Sequence, residues 1–525
     1  MIETGSPQAG QAGERGSRRR YLLVLLIFLP FLILAIVHLK ILLQTIFVRN
    51  ETTFPEGVSV YAFLMALRTG KLYSSPLDFP FNPQVYGPVF YLVGVCFAKV
   101  AHGDPMLTTE LCRLLSFLSF IGSAGIVGYL SWKLERKRRW AAVSIVLGLA
   151  CVWAWPWAAT VRPDALSIFL ILAALAVYQT AQGRSRLFFW AGVLGTLSCL
   201  TKQSTAPVLF ALLVDSLIAR RFRNTAALIT GCVPVPAIIL SALWLRIDPF
   251  LTNSLILRHS LYDWPAGIVV LINSMRTDQM AIIPVSMALL GVGLSWRKDE
   301  YRAIMLAAGL GCVSNLAALA RAGGDQNYLI LPWMLAVLLV PAGLAGIEVW
   351  ARRSVLIPLG LTLIGGLLLT HQRNVLLPKL QADLDTTNLN KLKMLSDNSY
   401  LELRSRQPQL LDPYYYHQLS MLNVWSIAPI IRQIDGEEYD LILIAGSDGP
   451  TDSEFLISFR GTSGWGADTL SSMVSHYRAL CEIQGFLALA PRDRPGGAKE
   501  EDIARIFGQP CRATGRTPQV APGMR

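Results

Sequence analysis

The sequence is a succession of long apolar runs separated by short charged clusters, and this pattern constrains the fold more than any other feature. A membrane helix needs about 20 mostly apolar residues, and twelve runs approach or exceed that length. Only 16% of the residues are charged and 53% are hydrophobic, which leaves too little charge for a soluble surface. The sequence therefore predicts an α-helical polytopic membrane protein. The runs are 21–46, 86–101, 112–132, 140–158, 164–180, 187–201, 204–219, 225–245, 281–296, 303–320, 328–349 and 354–371.

The basic clusters between the runs predict the orientation. If run 86–101 crosses the membrane, all the later Arg/Lys clusters fall on the outer side, against the positive-inside rule. If the run lies along the outer interface, every cluster becomes cytoplasmic, and its Tyr86-Gly87-Pro88 start and short length favour this interpretation. We therefore expect about 11 transmembrane helices, with the N-terminus inside. The clusters are Arg136–Arg139, Arg184/Arg186, Arg220/Arg221/Arg223, Arg297-Lys298 and Arg352-Arg353.

The domain boundaries follow from changes in composition. We expect a disordered basic cytoplasmic arm at 1–20, a transmembrane domain at 21–371 with a long first outer loop at 48–111, a small extracytoplasmic α/β domain at 372–491, and a disordered tail at 492–525. In the α/β domain, 440–445 is typical of a buried strand and 423–432 of an amphipathic helix. Cys481 and Cys511 would face an oxidising compartment, where a disulfide between them can form.

The net charge of +12 does not indicate a nucleic-acid-binding protein, because the basic residues are not gathered on one face. The eight cysteines have no metal-binding spacing, so the sequence does not indicate a metal site. The triplet Asp383-Leu384-Asp385 matches the DxD pattern of nucleotide-sugar enzymes, but a three-residue match often occurs by chance. It also falls on the outer side, where nucleotide sugars are not expected.

Several ionisable or polar residues lie at the outer ends of the runs, where charge near hydrocarbon is costly and often functional. Each has a structural alternative. The alternative for Glu56 is a solvated loop carboxylate, which is equally compatible with its position. The alternative for Asp164 is a helix-capping residue, and for Lys202 it is a lysine whose side chain extends to the membrane interface. Their convergence on one membrane face predicts an outward-facing polar cavity, with basic groups suited to a phosphate and a carboxylate suited to proton abstraction. The set is Glu56, Arg162, Asp164, Lys202, Arg258 and Tyr328.

The order of these features resembles the GT-C class of polytopic membrane glycosyltransferases, in particular the protein O-mannosyltransferases and the aminoarabinose transferases. The resemblance covers most of the chain, and the order and spacing of its short motifs are more specific than any one of them. It also implies that the 86–91 segment belongs to a juxtamembrane helix. The matching motifs are Pro55–Gly57, Gly70–Tyr73, Tyr86–Tyr91, Arg113–Ser116, Arg162–Asp164, Thr201-Lys202 and Asn327–Pro332.

The resemblance implies a transferase that moves a sugar from a polyprenyl-phosphate carrier to an acceptor hydroxyl on the outer side of the cytoplasmic membrane. Glu56 would be the general base, and fixed cations would stabilise the phosphate leaving group. The family often has an Asp beside this Glu, whereas here the neighbours are Pro55 and Gly57. No cofactor is expected, and the acceptor is a lipid, a protein or a polysaccharide. Substrate binding is assigned to Asp78, Arg162, Asp164, Lys202, Arg258, Asn327 and Tyr328.

Two other classes of protein fit parts of the pattern. A transporter or flippase of lipid-linked sugars would also need a polar cavity with basic residues, but inverted repeats and matching broken spans, which are typical of transporters, are not evident in the sequence. A membrane scaffold whose outer domain holds a partner would not explain the long first loop or the basic residues at outer helix ends.

Overall fold

The helical part of the molecule is built from fifteen described helices. The computed structural model describes residues 28–52, 56–75, 79, 84–155, 157–246, 248–250, 262–321, 324–351, 389–396, 398–406, 408, 419–448, 454–457, 465–483, 486–513 and 517–519. The helices are α1 (Leu29–Ile46), α2 (Glu56–Thr69), α3 (Pro88–Val100), α4 (Pro105–Glu135), α5 (Arg138–Leu149), α6 (Asp164–Thr180), α7 (Ser185–Thr201), α8 (Ala206–Ile218), α9 (Phe222–Cys232), α10 (Pro234–Leu245), α11 (Trp264–Thr277), α12 (Ile282–Ser295), α13 (Asp299–Leu319), α14 (Ile330–Val337) and α15 (Val340–Ala351).

Four segments in the described residues are long and apolar enough to cross a membrane: α1, α4, α9 with α10, and α13. A fifth forms if α11 and α12, which meet at an angle of 85°, make one broken span. This number is below the predicted eleven, because runs such as 140–158 and 328–349 break into shorter helices. The predicted span at 354–371 and the arm at 1–20 lie outside the described residues.

Helix α3 is the run that the charge pattern placed at the interface. It has 13 residues and is therefore about 20 Å long, whereas the hydrocarbon core of a bilayer is about 30 Å thick. This helix is too short to cross alone, as the interfacial interpretation requires.

The helical part exposes large apolar side chains on its surface. On α10, Ile238, Trp244 and Leu245 are 70%, 76% and 82% exposed, although such side chains are rarely left in water as a contiguous patch. A bilayer is the solvent in which such a surface is stable. The chain is a membrane protein.

Two helix pairs cross at glycine. A Cβ atom on Gly192 of α7 would lie 2.2 Å from Leu228 O of α9, and one on Gly231 of α9 would lie 2.1 Å from Phe189 O of α7. Gly291 of α12 and Gly343 of α15 make the same reciprocal approach. Only glycine allows the backbones to come this close, and such crossings are a typical way of packing helices in a membrane.

The C-terminal part contains a seven-stranded mixed sheet, in which β6, β4, β5, β2, β3 and β7 follow one another and β1 pairs with β2. Its strands are β1 (Met394–Ser396), β2 (Leu441–Asp448), β3 (Glu454–Ile457), β4 (Tyr477–Ile483), β5 (Phe486–Pro491), β6 (Arg512–Ala513) and β7 (Thr517–Gln519), and its helices are α16 (Ser399–Glu402), α17 (Ala428–Asp435), α18 (Ala467–His476) and α19 (Glu500–Phe507).

The first four residues of β2, Leu441–Ile444, are buried on both faces of the sheet, which explains their continuous apolar sequence. Ile442 and Ile444 belong to a cluster that includes Ile430 and Ile434 of α17. Leu441 and Leu443 alternate with them and belong to a second cluster, which includes residues of α19. The sheet therefore has helices on both faces, in agreement with the α/β character predicted from the sequence.

The prediction of a disordered tail at 492–525 is wrong for its described part. Helix α19 buries Ile503, Ile506 and Phe507, which stand at the i, i+3, i+4 spacing of an amphipathic helix. Cys511, which follows it, is joined to Cys481 of β4 by a disulfide. Apolar burial and this covalent link hold the segment against the sheet.

Candidate functional site

Five of the side chains selected from the sequence meet around one carboxylate, that of Asp164. Lys202 Nζ donates a hydrogen bond to Asp164 Oδ1, and Asn327 Nδ2 donates to the same oxygen over 2.9 Å. Arg162 Nε lies 3.7 Å from Asp164 Oδ2. Tyr328 completes the group through its contact with Lys202. Of the six residues predicted to converge, the structure brings together Arg162, Asp164, Lys202 and Tyr328, and Asn327 from the predicted substrate-binding set joins them.

Helix ends place these side chains. Asp164 is the first residue of α6, behind Pro163, where a carboxylate is favoured by the helix dipole. Lys202 is the extended residue that ends α7, just before a short 3₁₀ helix over Gln203–Thr205. Asn327 lies in another 3₁₀ helix, Gln326–Leu329, at the start of α14. The polar side chains come from three breaks between helices.

Aromatic rings hold the two cations. The Arg162 guanidinium lies 4.7 Å from the Trp157 ring centroid and 5.9 Å from that of Tyr86. Lys202 Nζ lies 4.2 Å from the centroid of Tyr328. Such contacts stabilise a cation by about 0.5 to 2 kcal/mol, with the higher value for desolvated sites. The rings therefore orient both cations without neutralising them.

The cluster is buried and carries a net positive charge. The side chains of Asp164, Lys202 and Arg162 are 2%, 7% and 15% exposed. Two cations face one carboxylate, so the formal charge is +1. Lys202 has three N–H donors, and one of them is used by Asp164. An anion with several acceptor oxygens, such as a phosphate monoester or diester, suits this arrangement.

Glu56 lies in a separate buried group. Its side chain is fully buried, and it accepts hydrogen bonds from Arg113 Nε over 3.1 Å and from Arg113 Nη2 over 2.7 Å. It also accepts from the backbone N–H and hydroxyl of Thr52, over 2.8 and 2.9 Å, and from the backbone N–H of Val161 over 2.8 Å. These five bonds use the roughly four lone-pair sites of a carboxylate.

This environment does not support the role of general base predicted for Glu56. Burial alone raises the pKa of Glu56, but the charge of Arg113 and the hydrogen bonds from Arg113, Thr52 and Val161 outweigh it and hold the pKa below its ordinary value. A carboxylate that is fully occupied by donors and weakly basic is poorly suited to take a proton. Its contacts instead tie three parts of the chain together.

Arg113, which the sequence analysis names only within the motif Arg113–Ser116, is the buried partner of Glu56. It is fully buried in α4 and donates to the carbonyls of Thr45, Val48 and Asn50 as well as to Glu56. Those carbonyls belong to the end of α1 and the following turn. The available signal was an arginine within an apolar span, which requires a buried partner, but the sequence alone does not identify that partner.

Three predicted residues or motifs lie outside the described residues: Asp78, Arg258, and the Asp383-Leu384-Asp385 triplet. Glu56 does not join the Asp164 group directly. Its hydrogen bond to the N–H of Val161, the residue before Arg162, links the two groups through the backbone.

Comparison with known proteins gives a match at the level of structure. No family model matches the sequence, and no curated protein does. The crystal structure of ArnT from Cupriavidus metallidurans in the apo state matches with a TM-score of 0.51 and 13% identity, over 87% of this chain and 97% of that chain. The structure of the same protein bound to undecaprenyl phosphate matches with a TM-score of 0.50 and 13% identity, over 88% and 99%. The chain therefore has the fold of ArnT, an aminoarabinose transferase, and the GT-C resemblance predicted from the sequence is confirmed for the fold.

Proposed function

We propose that this chain is a membrane glycosyltransferase that takes a sugar from a polyprenyl-phosphate carrier. The observation that carries the proposal is the buried pair of cations, Arg162 and Lys202, held by aromatic rings at helix ends. The ArnT structure with undecaprenyl phosphate supports the choice of a lipid-linked phosphate as the ligand class.

The chemistry would place the donor phosphate against Lys202 and Arg162. As the bond between the sugar and its phosphate breaks, negative charge grows on the phosphate oxygens, and cations fixed in a buried site stabilise that charge. A polyprenyl phosphate is already a good leaving group, so no separate general acid is needed. The acceptor hydroxyl attacks the anomeric carbon and must lose its proton.

We propose that Asp164 accepts that proton once a bound phosphate has drawn Lys202 and Arg162 away from it. In the described structure its oxygens face Lys202 and Arg162, but a bound phosphate would compete for both cations. Asp164 Oδ2 accepts no hydrogen bond within the described residues. The carboxylate that the cations release would then lie beside the phosphate and accept the proton of the acceptor hydroxyl. Glu56 has a positioning role in this scheme.

We further propose the location inferred from the charge pattern, with the site and the C-terminal domain on the outer side of the cytoplasmic membrane and the N-terminus inside. This arrangement puts Lys137 and its neighbours in the cytoplasm.

The proposal is tested by measuring the affinity of the purified protein for undecaprenyl phosphate. We expect Lys202→Ala to weaken binding about 10-fold or more, because a charge-assisted hydrogen bond contributes about 1.5 to 3 kcal/mol. Lys298→Ala is the matched control, since Lys298 also lies over a ring, 5.5 Å from the centroid of Tyr301, but at the predicted cytoplasmic end. A wild-type protein that does not bind, or a Lys202→Ala variant with unchanged affinity, would contradict the proposal.

A further inference from the structure

The start of the C-terminal domain makes a buried polar contact with the first outer loop. Ser399 Oγ donates to Glu51 Oε1 over 2.5 Å, and Ser399 N donates to Glu51 Oε2 over 3.1 Å. Beside them, Asn398 Nδ2 donates to Asn50 Oδ1 over 3.0 Å. All four residues are at most 6% exposed. The contact is therefore part of the molecular interior and is well protected from water.

Backbone packing shows that this contact is close. A Cβ atom on Gly57, the second residue of α2, would lie 2.3 Å from Ser399 O and 2.7 Å from Tyr400 N. A side chain at position 57 would push α16 away from α2. The C-terminal domain is thus fitted directly against the loop that contains Glu56.

From this contact, hydrogen bonds and links between neighbouring backbone residues lead to the candidate site. Arg113 Nη2 donates to the carbonyl of Asn50 over 2.7 Å and to Glu56 Oε2 over 2.7 Å. Glu56 Oε1 in turn accepts from Val161 N. The next residue is Arg162, which stacks on Trp157 and faces Asp164.

We propose that Ser399 and Glu51 are positioning residues that hold Arg162 in place through Arg113, Glu56 and the backbone of Val161. The C-terminal domain then contributes to donor binding without touching the donor. Fixing the Val161 amide fixes the backbone from which the Arg162 guanidinium extends, and displacements of about 1 Å in a binding site have large effects on its function. This inference rests on the proposed function for its ligand.

Two variants remove the contact from its two sides. Ser399→Ala deletes the hydroxyl, and Glu51→Gln keeps the shape of the side chain but removes its charge. In the purified full-length protein we expect each to weaken the affinity for undecaprenyl phosphate about 2- to 30-fold, the range that corresponds to couplings of about 0.5 to 2 kcal/mol. The double variant should lose little more affinity than the more strongly affected single variant, because both changes weaken the same contact. Ser399→Thr, which retains a hydroxyl, should restore most of the affinity.

Ser472→Ala is the matched control. It also deletes a hydroxyl that donates to a carboxylate, from Ser472 Oγ to Asp435 Oδ1 over 2.5 Å, in the same domain but on its exposed surface. This variant should keep the wild-type affinity. A loss equal to that of Ser399→Ala would overturn the proposal, since it would show a general effect of the domain's stability.

Hydrogen exchange at the Val161 amide gives a readout that needs no ligand. We expect faster exchange at Val161 in Ser399→Ala and in Glu51→Gln, and wild-type exchange in Ser472→Ala. If the exchange at Val161 is unchanged in both Ser399→Ala and Glu51→Gln, the positioning role of Ser399 and Glu51 is overturned. If the wild-type protein fails to bind undecaprenyl phosphate while Val161 exchanges faster in the variants, the proposed function fails and the structural link stands.

Discussion

At the scale of the residue, the Glu56–Arg113 pair has the most direct consequence for stability. Both side chains are fully buried, and removal of one partner from a buried ion pair typically costs about 3 to 5 kcal/mol. We expect Glu56→Gln to lower the melting temperature markedly in detergent, as measured by differential scanning calorimetry. Asp299→Asn is the control, since Asp299 pairs with Arg302 but is 89% exposed, and its change should have little effect.

The same pair predicts an acid-sensitive fold. Because the pKa of Glu56 is lower in the folded protein than its ordinary value of 4.5, the ionised carboxylate stabilises the fold above pH 4.5. That contribution is lost as the pH falls from 4.5 through the lower pKa of the folded state. The melting temperature of the wild type should fall on acidification in this range, and a Glu56→Gln curve that falls just as steeply would contradict the assignment.

Single residues also show what the sequence could and could not predict. The sequence identifies the five residues of the Asp164 group because burying a polar group at the end of an apolar helix costs free energy and is often functional. These residues are Arg162, Asp164, Lys202, Asn327 and Tyr328. Which of these side chains pair with one another depends on how α6, α7 and α14 pack. The spacing of apolar residues along the sequence does not specify that packing. The pairing of Glu56 could not be predicted for a similar reason, since its partner Arg113 lies 57 residues away in the sequence.

At the scale of the element, the glycine crossings predict which helices tolerate a methyl group. Gly291→Ala places a Cβ only 2.0 Å from Leu339 O, so α12 and α15 must separate, whereas the space around Gly293 on the same helix is open. We expect Gly291→Ala to lower the melting temperature and Gly293→Ala to leave it nearly unchanged or raise it slightly. Equal effects of the two variants would show that α12 and α15 do not pack as described.

Elements were predicted well where burial has a simple period. The strand expected at 440–445 is the first part of β2, and the amphipathic helix expected at 423–432 overlaps α17, Ala428–Asp435. The segment 492–525 was predicted less well, because its high content of Pro, Gly and charge hid three apolar residues at helical spacing in α19. Composition describes a segment on average, whereas a short amphipathic helix depends on where its few apolar residues stand.

At the scale of the whole molecule, the proposed orientation can be tested by chemical labelling. In a variant without the native free cysteines, Lys137→Cys should be shielded from an impermeant thiol reagent added from outside, because the cluster at 136–139 is expected in the cytoplasm. Glu501→Cys, on the exposed face of α19 in the C-terminal domain, should react readily. The opposite pattern of labelling would invert the topology.

The contact between Ser399 and Glu51 joins residues that are 348 positions apart in the sequence, which has a consequence for biosynthesis. At about 5 to 20 residues per second, the ribosome needs about 20 to 70 s after making Glu51 to reach its partner. During that time the first outer loop lacks one of its supports. A chain that stops before residue 398 therefore leaves Asn50 and Glu51 without these two partners beside Gly57.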